Sequence, residues 1–205
     1  MTPIESADEL RALLGDPNER AVNKERTRLL DIDRDWLAAS PFCVLATSDD
    51  QGRLDASPKG DPAGSLVHVI DDTTIAIAER PGNKRADGYL NVLANPYVGL
   101  IFVIPGRSDT LRITGRARLV RDGDFFDAMS VRSTRPILAL VVEIEQIFFH
   151  CAKAFLRSGL WQHEGWEPDA LVPRRAVIAQ RFENAPGTLE ELDAYYGEAY
   201  AKGLY

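Results

Sequence analysis

Residues 97–120 read YVGLIFVIPGRSDTLRITGRARLV, and this stretch decides the fold class. Its first eight residues are apolar enough for a central strand, and Pro105, Gly106, Arg107 and Ser108 then turn the chain. The return run alternates with a period of two. Leu111, Ile113, Ala117 and Leu119 fall on one face, and Thr110, Arg112, Thr114, Arg116 and Arg118 on the other, as expected of a strand with one face in a core.

Working outward, the same grammar of short strands and turn residues recurs. Residues 42–48 and 53–59 form a hairpin across Asp49, Asp50, Gln51 and Gly52, and residues 66–70 and 73–78 pair across Asp71 and Asp72. A helix over 84–93 follows, with Tyr89, Leu90 and Leu93 as its apolar stripe, and ends before Asn95 and Pro96. Residues 137–149 supply a last long strand. About six strands in hairpin order, interrupted by one helix, predict a mainly β protein built on an antiparallel barrel, not an alternating α/β sheet.

Helices flank this β region. Ser6 to Glu9 reads as a capping box ahead of Leu10, Leu13 and Leu14, with Gly15 as the stop. Asp16 and Pro17 start a second helix, and a third runs through Ile32, Trp36 and Leu37 to Ser40 and Pro41. Near the other end, Thr188 to Glu191 opens an acidic helix holding Tyr195, Tyr196 and Tyr200. The expected organisation is a helical extension over 1–41 packed on the barrel, the barrel over 42–165, and an extension over 166–205.

Composition narrows the function classes. With 205 residues, 45% hydrophobic and 27% charged, the chain reads as an ordinary globular protein. Its apolar runs are too short to span a bilayer, and residues 1–14 lack the pattern of a secretion signal, so a cytoplasmic location is expected. Two cysteines and three scattered histidines give no disulfide framework and no metal site. A net charge of −7 disfavours nucleic acid as a partner. The charge is uneven, however: eight basic residues face Asp87 and Asp109 between Arg80 and Arg121, which suggests a local anion site.

Two segments could form that site. R-P-G-N-K-R at 80–85 sets cations and an amide at a helix start, where free N–H groups favour an anion, although solvated turn charges would look the same. S-P-K-G-D at 57–61 ends a strand with a hydroxyl, a cation and a glycine that permits close backbone approach, which an edge-strand exit would also explain. Arg112 shares a strand face with Thr110 and could reach the same anion.

Taken in order and spacing, S-P-K-G-D, R-P-G-N-K-R and T-L-R-I-T-G-R-A at 110–117 are more specific than any one of them. Over residues 42–161 the chain resembles the pyridoxamine 5'-phosphate oxidase-like family of FMN-binding split barrels, in a branch distinct from the pyridoxamine phosphate oxidases proper. The resemblance implies a six-stranded split barrel that holds FMN between the subunits of a homodimer. Ser57, Pro58, Lys59 and Gly60 would lie along the flavin, the Ile77 and Ala78 backbone would face its ring, and Asn83, Lys84 and Arg85 would grip its phosphate. Thr110 and Arg112 would reach FMN across the dimer, with Lys59 and Arg112 tuning its reduced form. A segment with Lys153, Arg157 and Trp161 would close over it. The expected activity is an FMN-dependent oxidoreductase or oxidase acting on a small molecule by hydride transfer at flavin N5. A non-catalytic flavin-binding or storage protein, a haem-binding barrel and a deazaflavin site are the alternatives. The arginine-bearing end motif of the oxidases proper has no counterpart after Trp166, which argues against vitamin B6 phosphates as substrates.

Overall fold

The computed structural model describes residues 1–167, 172–202 and 204–205. Seven strands form one antiparallel sheet in the order β2-β1-β5-β6-β7-β4-β3. They are β1 (Phe42–Ser48), β2 (Leu54–Gly60), β3 (Val67–Val69), β4 (Thr74–Ala78), β5 (Tyr97–Val103), β6 (Thr110–Val120) and β7 (Ala139–His150). The expected count of about six is therefore corrected to seven, and the expected pairing of residues 66–70 with 73–78 is present, with Val67–Val69 as a strand of only three residues against β4.

The sheet is not closed, which corrects the expected barrel. Its margins, β2 and β3, do not pair with each other, and β2 carries Pro58, which has no N–H to donate. It is nevertheless strongly curled. Five interstrand steps separate β2 from β4, so a flat sheet would hold them about 24 Å apart. Instead Lys59 of β2 stands 2.9 Å from Glu79, the residue after β4.

The concave face encloses the core. Cys43 and Leu45 of β1, Val98, Leu100 and Phe102 of β5, Leu111 and Ile113 of β6, and Ile75 and Ile77 of β4 belong to one buried cluster. A smaller cluster on the other side of β4 and β7 packs Ala76, Ala78, Ala139 and Val141 against Phe126 and Met129, so all five residues of β4 are buried.

The alternation read from β6 holds from Leu111 to Arg118, with Thr110 buried at the strand's start, whereas β7 contains a bulge: Thr114 faces Gln146 but Gly115 faces Ile144, leaving Glu145 extra. The bulge resets the parity, so that Leu140, Val142 and Ile144 before it and Ile147 after it all reach the same core. Gly115 makes this possible, because a Cβ there would lie 1.9 Å from the Glu143 carbonyl oxygen.

Of the leading helices, α1 (Ala7–Leu14) and α2 (Glu19–Val22) bury no side chain, whereas α3 (Asp31–Ala39) buries Trp36 and Leu37. Ser6 Oγ accepts from Glu9 N and Gly15 ends α1 with a positive φ, as the sequence implies. Ile32 is exposed, and in its place the core takes Asp33, whose carboxylate accepts from Nη1 and Nη2 of Arg26 and from Leu30 N. α4 spans Asp87–Ala94, three residues later than expected, and buries Tyr89 and Val92 while Leu90 and Leu93 face outward. α5 (Lys153–Ser158) follows β7, then α6 (Arg175–Phe182), α7 (Leu189–Tyr195) and α8 (Glu198–Lys202). Thr188 and Glu191 cap α7 reciprocally. The acidic stretch forms two helices rather than one.

One face of the sheet stays uncovered in the chain. On the convex side of β2, β1 and β5, Leu54, Phe42, Tyr97 and Ile101 are exposed by 84%, 38%, 52% and 40%. No helix among the described residues is long and apolar enough to cross a membrane.

Candidate functional site

A cleft of about 690 Å³ lies between β2 and the loop that joins β4 to α4. Along β2 the cleft runs from Asp55 to Gly60, roughly 17 Å of strand. The loop follows the same line. At its start Arg80 pairs with buried Asp61, beside Gly60. At its end Gly88 packs against Asp55 and Ser57, where a Cβ would stand 3.1 Å from Asp55 Oδ2.

The loop is tightly wound. Asn83 Oδ1 accepts from Arg85 N, an Asx turn, and Lys84 and Ala86 both hold positive φ at 62° and 58°. Such backbone costs free energy in a residue with a side chain and persists where its surroundings dictate it. It leaves Lys84 on the cleft with no ion-pair partner among the described residues, while Arg85, largely exposed, is held by Asp87 at 2.7 Å.

The opposite end of the cleft carries a hydrogen-bonded triad. Lys59 Nζ donates to Glu79 Oε2 at 2.9 Å and to the Tyr89 hydroxyl at 2.8 Å, and the Tyr89 hydroxyl donates to the same Glu79 oxygen. Burial first, and Glu79 second, hold the Tyr89 phenol protonated well above the ordinary range. Lys59 is thus neutralised by Glu79 and is not a free cation.

Two buried polar atoms at the cleft have no hydrogen-bond partner among the described residues: Arg80 Nη1, a donor, and Asp55 Oδ2, an acceptor. Orphaned groups of this kind are costly unless a ligand or water meets them. With Lys84, Arg85 and the Ser57 hydroxyl, the donor and acceptor set suits an elongated ligand bearing an anionic phosphate and several hydroxyl or N–H groups.

The family model described as pyridoxamine 5'-phosphate oxidase matches residues 31–151, more than half of the chain. The chain belongs to the pyridoxamine 5'-phosphate oxidase family. No curated protein matches it. Among solved structures it is similar to HupZ of Group A Streptococcus, with 22% identity over 59% of this chain and 93% of that one, TM-score 0.47. It is also similar to a candidate pyridoxamine 5'-phosphate oxidase of Lactobacillus delbrueckii, with 20% identity over 61% and 98%, TM-score 0.47. HutZ, the heme storage protein of Vibrio cholerae, gives 17% identity over 60% and 94%, TM-score 0.41.

In this member of the pyridoxamine 5'-phosphate oxidase family, Ser57, Pro58, Lys59, Gly60, Ala78, Asn83, Lys84 and Arg85 all line the one cleft. Ile77 does not, since the pleat turns its side chain into the main core. Thr110 and Arg112 lie on β6, separated from β2 by β1 and β5, and Arg112 sits 5.1 Å above the Phe148 ring. Lys153 and Arg157 are exposed on α5. Trp161 stacks on Phe155 and donates its indole N–H to the Arg107 carbonyl at 2.7 Å. In place of this segment, Tyr200 and Leu204 reach the cleft.

Sequence reasoning missed Asp55, Glu79 and Tyr89 as site residues. A charged residue immediately after a fully buried strand was the available signal for Glu79. Tyr89 was legible only as part of a helix stripe. Among the described residues no cluster of three or more His, Cys, Asp or Glu side chains could hold a metal ion.

Proposed function

We propose that this protein is an FMN-binding flavoprotein, a homodimer with the cofactor at the subunit boundary, and an FMN-dependent oxidoreductase of a small molecule. The observation that carries the reading is the convergence of 57–60, 78 and 83–85 on one cleft whose buried donor and acceptor lack partners. Lys84 and Arg85 would hold the phosphate, and Asp55 and Ser57 would take ribityl hydroxyls. FMN, when bound, supplies hydride transfer at N5. The chain's own part is to orient the cofactor along β2, shield it from water, and present the hydrogen-bonded Lys59, Glu79 and Tyr89 at one end of the cleft.

The uncovered convex face supports the dimer. Arg112 stands on that same face, paired in register with Ile101, so a second copy seated there would receive its side chain, whereas Thr110 is buried within its own chain. The visible spectrum of purified protein tests the reading. Flavin bands that bleach with a nicotinamide donor, and FMN identified by mass spectrometry, are expected. Protein that carries no flavin and takes up none when FMN is added would refute it, and bound flavin without turnover would leave binding as its role.

A further inference from the structure

Beside the cleft, Tyr205 sits in a built site. Asp61, its side chain 1% exposed, accepts the Tyr205 hydroxyl on Oδ1 at 2.8 Å and Arg80 Nε on Oδ2 at 2.7 Å. Arg80 is fixed in turn by the Met129 carbonyl at 2.7 Å. The Tyr205 ring lies 5.8 Å from the Arg80 guanidinium and 5.3 Å from that of Arg132, so two cations address one ring. Arg132 is aimed by a costly backbone: it and Ser133 hold successive positive φ values of 49° and 64°.

Among the described residues, the segment before Tyr205 is held mainly at Tyr200, which packs on Tyr195 and Tyr196. Leu204 is about half exposed, and α8 before it is a single short turn. The hydroxyl and ring of Tyr205 therefore supply the anchoring contacts of that last residue, and a short, weakly packed segment of this kind can release its ring to a competing ligand.

We propose that Asp61, Arg80 and Arg132 form a subsite for a neutral phenol-type ring, and that Tyr205 occupies it as a ligand supplied by the chain itself. The carboxylate demands a donor, so a ring carrying a hydroxyl fits, whereas one that presents an anion to Asp61 is repelled. Arg80 and Leu204 also line the cleft, so a phenol that displaces Tyr205 arrives at the end of the cleft bearing Lys59, Glu79 and Tyr89. The subsite rests on these contacts alone and does not depend on the identity of the cofactor.

Ligand-observed NMR with full-length Tyr205→Ala and p-cresol as probe tests the subsite. The variant is expected to bind p-cresol at least tenfold more tightly than the unaltered protein, whose own tyrosine competes, and Tyr205→Phe should fall between them. Toluene should bind the variant at least tenfold more weakly than p-cresol. Adding Arg132→Ala, an exposed position, should weaken p-cresol severalfold without disturbing the buried pair. Equal binding by the unaltered protein and Tyr205→Ala, or equal binding of toluene and p-cresol, would overturn the proposal. Flavin content measured on the same samples reports separately on the proposed cofactor.

Discussion

Cys43 and Cys151 show how position overrides residue type. Cys43 lies wholly inside the sheet, and burial pushes its thiol up to about 12 despite the charge of Lys59 nearby. Cys151 is exposed, and the Lys153 amide together with the Lys153 charge lowers its thiol below the usual value. A lowered value means more thiolate at a given pH, so alkylation of Cys151 should set in at lower pH than for free cysteine, about 8.5. A thiol-counting reagent is expected to find one reactive group in the folded protein and two after denaturation, with Cys151→Ser abolishing the first. At the cleft, Arg85 is exposed and held by Asp87, so its replacement should leave the fold intact while loosening the proposed phosphate grip. Arg85→Ala is expected to raise the FMN dissociation constant about tenfold, the worth of roughly one charge-assisted hydrogen bond, as measured by fluorescence quenching of added FMN.

At the scale of elements, the β6–β7 ribbon depends on a position with no side chain. Gly115→Ala would drive a Cβ into the Glu143 carbonyl, and the ladder would have to move because backbone cannot rotate away as a side chain does. A loss of about 3 kcal/mol in urea unfolding is expected. The strands themselves were legible, since alternation and turn residues placed all seven to within about three residues at each end. The bulge was not legible: Glu145 and Gln146 read as two outward residues in a row, and only the partner strand shows which one is extra. α3 shows the same limit, because periodicity selected Ile32, whereas the core took Asp33 once Arg26, seven residues earlier, folded back to neutralise it. The cleft was half legible. Its cations stood in quotable motifs, but Asp55 and Glu79 acquire meaning only when curling brings β2 against the end of β4.

At the scale of the whole molecule, the convex face of β2, β1 and β5 exposes Leu54, Phe42, Tyr97 and Ile101, and the proposed dimer would cover them. Ile101 stands on this face, on β5. Ile101→Glu is expected to convert a species of twice the 22.7 kDa chain mass into monomer by light scattering, and to lower flavin retention with it. Retained flavin in a monomeric variant would show that the cleft is complete within one chain. The proline in the marginal strand bears on how such assembly ends. Neighbouring copies cannot extend this sheet strand by strand past Pro58, because the hydrogen-bond ladder would meet a missing donor there. Growth through the β2 margin is thereby blocked, and the convex face is saturated by two copies related by symmetry, so association through that face should yield a finite pair and not a fibre.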